Sequence, residues 1–240
     1  MLDAGCGDGR LLRYLGKSID ARLCGFDSAE YGLQTAESIG SEVPDADIRQ
    51  TLPDGSWPFE AESADIVISH QVLEHVFNFE QFCAENYRVL KPGGFAVHVF
   101  PTRHSFMEWH MNLPVVHKIR SHDVRSAAIR LLTSAGLGTD RNLSDRFAAA
   151  AHADYLRTFT TYRTWRELVT ELHKQGFRAT YRHSNRLPKL MAYSLLRMQN
   201  TPHTSHPMVE AATFPIVRSL VSVTLVIEKA QDYRSDWKAH

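Results

Sequence analysis

Two groups of residues have types and spacings that could do chemistry. The first is Asp3-x-Gly5-x-Gly7-x-Gly9, with Asp27 placed 18 residues beyond the last glycine. Glycine has no Cβ, so such a loop turns tightly and lets a ligand approach the backbone. A carboxylate at the end of the following strand can accept two hydrogen bonds from a ribose diol. The plain alternative is a tight turn, with Asp27 as a turn residue or helix cap. The second group is Glu108, His110 and His117, set around Pro114. A histidine or carboxylate there could take a proton from a hydroxyl, and His110 is the first choice as base. The same side chains could ligate a metal. Their spacing matches no zinc pattern, so no metal is assigned, and ordinary exposed or core histidines remain the plain reading of each.

These residues need a scaffold. The chain has 240 residues, 43% hydrophobic and 22% charged, which is an ordinary globular balance. That length suits one large domain, or one domain with a sizeable insertion. Twenty-seven basic residues offset 27 acidic ones, so there is no bulk electrostatic case for nucleic acid. Thirteen histidines could make the chain cationic in mild acid. No run approaches the ~20 apolar residues of a membrane span. The N-terminus lacks a basic region followed by an apolar core, so neither a transmembrane segment nor a secretory signal is expected. Cys6, Cys24 and Cys83 are far apart and form no CxxC pair. They point to a reducing, cytoplasmic setting and against a disulfide scaffold.

Short apolar runs alternate with helical patterns over the first hundred residues. Leu2-Asp3-Ala4 reads as a strand end, Arg10–Lys17 as a helix, and Arg22–Phe26 as a second strand. Ser28–Ile39 reads as a helix capped by Ser28. Asp65–Ser69 is a buried strand, Phe79–Leu90 a helix, and Phe95–Phe100 the next strand after the Lys91-Pro92-Gly93-Gly94 stop. This order predicts a parallel sheet with helices on both faces. The rhythm breaks over Pro101–Phe159, which reads as an insertion over the sheet's edge with a helix near Val124–Ala135. Thr164-x-x-Glu167 predicts a capping box opening a helix that Gly176 ends. Phe177–His183 and Ser222–Lys229 read as strands, Leu187–Met198 as a helix, and the last ten residues as frayed.

With those elements in place, the sequence resembles the class I, Rossmann-like methyltransferases that use S-adenosylmethionine (SAM), in the small-molecule, type 11-like branch. Leu2-Asp3-Ala4-Gly5-Cys6-Gly7-Asp8-Gly9 resembles the family's first motif, and Gly25-Phe26-Asp27 its second acidic position. Trp57-Pro58-Phe59 followed by Asp65–Val76 resembles the fourth-strand motif, and Arg88–Gly94 the entry to the fifth strand. Four motifs in order over residues 1–100 are far more specific than one. The resemblance implies an α/β fold: a doubly wound, mostly parallel seven-stranded sheet with an antiparallel last strand and a helical insertion after the fifth strand. The expected division is a SAM-binding core over 1–100, a lid over the acceptor site at 101–160, and the rest of the same domain at 161–240. Family members usually carry a helical segment before the first strand. Here that strand has at most Met1–Ala4, so either the true start lies upstream or that cover is missing.

The resemblance also implies roles. Gly5, Gly7 and Gly9 would line the methionine moiety of SAM, with Cys6 and Ser28 beside them. Asp3 would brace the loop, Asp27 would hold the ribose, and Leu52–Asp54 would meet the adenine. Ser69 and His70, at the carboxyl end of the fourth strand, would face the sulfonium and the acceptor. Glu74 and His75 read as structural. Arg103, Arg157 and Arg163 could grip an acidic acceptor, and Phe106, Trp109 and Phe159 could wall its pocket. The expected activity is methyl transfer to an oxygen or nitrogen of a small molecule, with a carbohydrate or lipid-linked precursor as candidate class. Two alternatives stay open. One is a SAM-binding partner subunit without activity. The other is an NAD-dependent oxidoreductase, whose fingerprint would need glycine where Arg10 stands.

Overall fold

The computed structural model describes residues 1–28, 46–181 and 222–229. Within them the predicted alternation is present. Strands β1 (Leu2–Ala4), β2 (Cys24–Asp27), β3 (Asp47–Gln50), β4 (Ala64–His70) and β5 (Leu90–Phe100) run parallel, and β8 (Phe177–Tyr181) and β9 (Val223–Lys229) complete the sheet. The order is β3-β2-β1-β4-β5-β9-β8, with β9 antiparallel to both its neighbours. The order reverses beside β1, and open sheets of this kind bind ligands at that point, outside the carboxyl ends of the strands.

The helices are α1 (Arg10–Gly16), α2 (Phe79–Val89), α3 (His122–Ser134), α4 (Arg146–Thr158) and α5 (Trp165–Lys174). Local chemistry sets their ends. Asn78 accepts from the Gln81 backbone at the start of α2, and both halves of the Thr164/Glu167 capping box form at α5. The largest apolar cluster joins Leu2, Val67, Ala96 and Leu225 of the sheet to Trp57, Phe82, Leu168 and Leu172. On α1, Leu12 instead packs with Cys6, Leu23 and Ile48. No helix among the described residues is long and apolar enough to cross a membrane.

Two readings change in detail. The sequence assigned no residues to β3, whose Asp47-Ile48-Arg49-Gln50 has one buried side chain and little apolar signal. The expected stop at Lys91–Gly94 is an irregularity inside β5: Leu90 pairs with Ala64 and Phe95 with Ile66, so four residues of β5 span one of β4. Gly93 turns there with φ 78°. The predicted segments beyond Ser28 to Ile39, at Leu187–Met198, at 182–183 and over the last ten residues lie outside the described residues.

The section after β5 opens with a hairpin, β6 (Met107–Glu108) against β7 (Leu113–Pro114), and continues through α3 and α4. It has an apolar centre of its own: Met111, Leu113, Val116, Ile129, Leu143, Ala149, Ala153 and Leu156. It does not lie only at the sheet's edge, because its His110 and Tyr155 line the cleft above the strand ends. Ile129 is completely buried in this centre. Ile129→Ala is expected to cost about 2–5 kcal/mol of stability, from lost burial and an unfilled cavity. Thermal unfolding of the variant checks this, and an unchanged Tm would refute the packing.

Candidate functional site

A cleft of about 560 Å³ opens at the carboxyl ends of β1, β2 and β4, within the range of pockets that enclose small molecules. One wall is the glycine loop. Gly5 has φ 81°, and a Cβ on it would stand 2.5 Å from Val72 Cγ2. Gly7 has φ 50°, and its backbone N–H donates to Asp27 Oδ2 at 2.6 Å. Ser28 N–H donates to Asp27 Oδ1 at 2.7 Å. The Asp27 carboxylate is therefore fixed at the end of β2 and faces the cleft. Burial raises its pKa, while its two backbone hydrogen bonds act the other way.

Ala4, Gly5, Gly7, Phe26, Asp27 and Ser28 thus share one lining with Thr51, Gly55 and Trp57. Other candidates sit behind or beside it. Asp3 is buried in β1, and burial together with Asp27 raises its pKa to about 7. Cys6 packs on Gly25 beneath the loop, and Gly9 caps α1 in the left-handed region. Leu52 is exposed in a turn closed by the Gly55 N–H to Leu52 carbonyl bond, so it does not line the cleft. Ser69 points away as well: its Oγ meets His98 Nδ1 at 2.8 Å in the interior. His70 is exposed and outside the lining.

His75, His110 and Tyr155 of the same lining are backed by a cluster of titratable side chains. Glu108 is fully buried. It accepts from the backbone N–H of His110 (3.2 Å) and Met111 (2.9 Å), from His110 Nδ1 (2.5 Å) and from Tyr162 Oη (3.0 Å). The carboxylate therefore ties down the tip of its own hairpin and orients the imidazole. Burial alone would raise the pKa of Glu108, but its hydrogen bonds and the charge of His110 leave it lowered. His110 is buried enough to lose basicity, yet its bond to Glu108 leaves its pKa raised. His110 Nε2 lies 3.1 Å from His75 Nε2, and His75 Nδ1 donates to the Phe159 carbonyl at 2.7 Å. Burial lowers the pKa of His75. A carboxylate oxygen of Glu74 and one ring nitrogen from each histidine lie within 4.8 Å of one another.

His117 is not in this cluster's first contacts. It is half-buried, its ring 4.8 Å from that of Tyr162 with both ring nitrogens out of solvent, and burial pushes its pKa down to about 4. Arg163 is not aimed at a ligand either. Its guanidinium donates to the carbonyls of Leu73, Val76 and Phe77 and stacks on Phe79. It pins the turn that carries Glu74 and His75. Arg157 pairs with Asp154 at 2.9 Å on the surface, and Arg103 is exposed. Phe106, Trp109 and Phe159 are partly exposed, and Phe159 stacks on Tyr155, the ring that does reach the cleft. Sequence reasoning missed Glu74, His75, Tyr155 and Tyr162. Only the first two carried a signal, since they follow β4 just where open sheets bind ligands.

Comparison with known proteins agrees with this geometry. Residues 2–98 match the type 11 family described as a methyltransferase domain. A probable S-adenosylmethionine-dependent methyltransferase of Mycolicibacterium smegmatis is 33% identical over 106 residues, 44% of this chain and 39% of that protein. The mitochondrial ubiquinone biosynthesis O-methyltransferase of Rattus norvegicus is 36% identical over 103 residues, 39% of this chain and 28% of that protein. The chain therefore spans well under half the length of these relatives. A solved S-adenosylmethionine-dependent methyltransferase from Mesorhizobium loti shares the fold, with TM-score 0.55 and 15% identity, covering 95% of this chain and 89% of that one.

Proposed function

Because residues 2–98 are a type 11 methyltransferase domain on a seven-stranded Rossmann-like sheet, we propose that this chain moves a methyl group from SAM to an oxygen or nitrogen of a small molecule. One observation carries the reading. The glycine loop with Asp27 and the pair His75–His110 line one and the same cleft. SAM, the cofactor that this family and fold imply, brings an electrophilic methyl on a sulfonium. The residues fit it: a loop whose Gly5 has no room for a Cβ beside Val72 of the lining, and a fixed carboxylate at the end of β2.

The chain's own residues then have distinct tasks. Gly5 and Gly7 leave room for the donor's backbone-side contacts, and Asp27 has lone pairs left to accept from a diol. Residues 101–160 serve as a lid that excludes water, and a dry cleft favours loss of charge in the transition state. His110, held by Glu108, faces the acceptor and assists removal of its proton. An O-methyl acceptor is favoured by the ubiquinone biosynthesis relative, whose name specifies O-methyl transfer. A carbohydrate or lipid-linked precursor remains the acceptor class for the first screen. A small molecule fits better than nucleic acid, because the net charge is zero. Cys6, Cys24 and Cys83 are all free, which supports a cytoplasmic setting.

The test is calorimetry with SAM, S-adenosylhomocysteine and NAD, followed by turnover across hydroxyl and amine acceptors. SAM is expected to bind in the micromolar range, about 8 kcal/mol. No heat with SAM would overturn the reading, and binding without any turnover would favour a partner subunit. Asp27→Ala is expected to weaken SAM at least tenfold, about 1.4 kcal/mol, because the diol loses its acceptor. Unchanged affinity would remove Asp27 from the site.

A further inference from the structure

We propose that Glu74, His75 and His110 form a binding site for one divalent transition-metal ion of the zinc type, opening onto the cleft where the methyl acceptor sits. The inference builds on the proposed function and specifies how the acceptor is activated: His110 would act through the ion and not take the proton itself.

Three features of the structure lead there. First, the donors converge. The two Nε2 atoms stand 3.1 Å apart, and a Glu74 oxygen shares their neighbourhood. Two nitrogens bound to one tetrahedral zinc are separated by roughly 3.3 Å, given bonds of about 2.0–2.1 Å. Second, both imidazoles are held from behind as metal-binding histidines are. His110 Nδ1 meets the Glu108 carboxylate and His75 Nδ1 the Phe159 carbonyl, which leaves each Nε2 lone pair directed forward. Third, Glu74 is 1% exposed, and neither of its carboxylate oxygens has a hydrogen-bond partner among the described residues. A buried carboxylate without a partner is costly, and a cation would satisfy it. The carbonyl-pinned turn and the hairpin bring these donors together from separate parts of the chain, so none of this is a cluster of surface acids.

Two imidazoles and one carboxylate are ligands suited to zinc or cobalt more than to magnesium. Three protein ligands leave a fourth position open toward the cleft, the arrangement of catalytic rather than structural zinc. An ion there would act as a Lewis acid and lower the pKa of an acceptor hydroxyl. Glu108 and Tyr162 would then be positioning residues, acting through His110.

The experiment uses the full chain, stripped with a chelator and titrated with Co²⁺, whose visible absorption reports its ligand geometry. One equivalent is expected to give saturating bands that Zn²⁺ abolishes and Mg²⁺ does not. Glu74→Gln and His110→Asn should each weaken binding at least tenfold, and Glu108→Gln about 10–100-fold. If Glu74→Gln loses its far-UV signal, His110→Asn decides the matter, because that ring sits at the cleft surface. No one-to-one saturation overturns the site, as does unchanged binding in a His75→Asn, His110→Asn double variant, which would place the ion on other histidines. SAM calorimetry on the same samples keeps the two readings apart. A protein that binds SAM but not Co²⁺ refutes the ion alone, and one that binds Co²⁺ but not SAM refutes the donor site.

Discussion

His110→Ala is expected to lower kcat by about 10²–10⁴-fold while SAM affinity changes less than threefold. On the proposed function His110 activates the acceptor, and its ring bonds to Glu108 and His75 and not to the glycine loop, so its loss should lower turnover and leave the donor contacts in place. The Glu108 carboxylate accepts from Nδ1 and so orients the ring. Glu108→Gln should therefore also fall, though by less, since an amide can still accept from Nδ1 while losing the charge. Release of S-adenosylhomocysteine with the best acceptor gives kcat, and calorimetry gives the donor affinity. A kcat within threefold of the parent would remove His110 from the reaction.

Gly5→Ala should weaken SAM binding at least tenfold and lower Tm. Two costs combine. The residue has φ 81°, a left-handed conformation that costs an L-residue with a side chain about 1–2 kcal/mol. The added Cβ would also stand 2.5 Å from Val72 Cγ2, a distance no packed pair tolerates. Val72 lines the cleft, so relief by moving it changes the donor's surroundings too. The two costs can be separated. Val72→Ala in the Gly5→Ala background should recover the steric part and leave the backbone part, and a double-mutant cycle reads the coupling. Full additivity of the two substitutions would mean that the contact with Val72 is not what excludes a side chain at Gly5.

The parts of the site legible in sequence are those built by neighbours. The strand, glycine turn and helix of residues 2–16 are contiguous, and Asp27 ends the adjacent strand, so their local spacing and the family resemblance both pointed to them. What could not be read is contact at long range. His75 and His110 are 35 residues apart and meet only because the hairpin folds back over β4. Tyr155 and Tyr162 reach the cluster from beyond α3, with no periodicity to mark them. Arg163 was misread for a different reason: its partners are main-chain carbonyls, which are present at every position and identify none. Leu52 stands outside the lining that Thr51 and Gly55 enter, and a turn and an adenine contact ask for similar residues. The fold survived these errors because strand order and helix placement depend on apolar pattern, whereas the site depends on individual side chains.

The insertion's private apolar centre has an evolutionary consequence. Met111 to Leu156 pack on one another, while the segment meets the rest through polar contacts, among them Thr161 N–H to the Glu74 carbonyl, His75 Nδ1 to the Phe159 carbonyl and His110 to His75. Such a unit can be exchanged as a cassette, with new loops tried around the same polar fastenings, and leave the glycine loop and Asp27 as they are. Acceptor choice and donor recognition can then diversify on separate clocks.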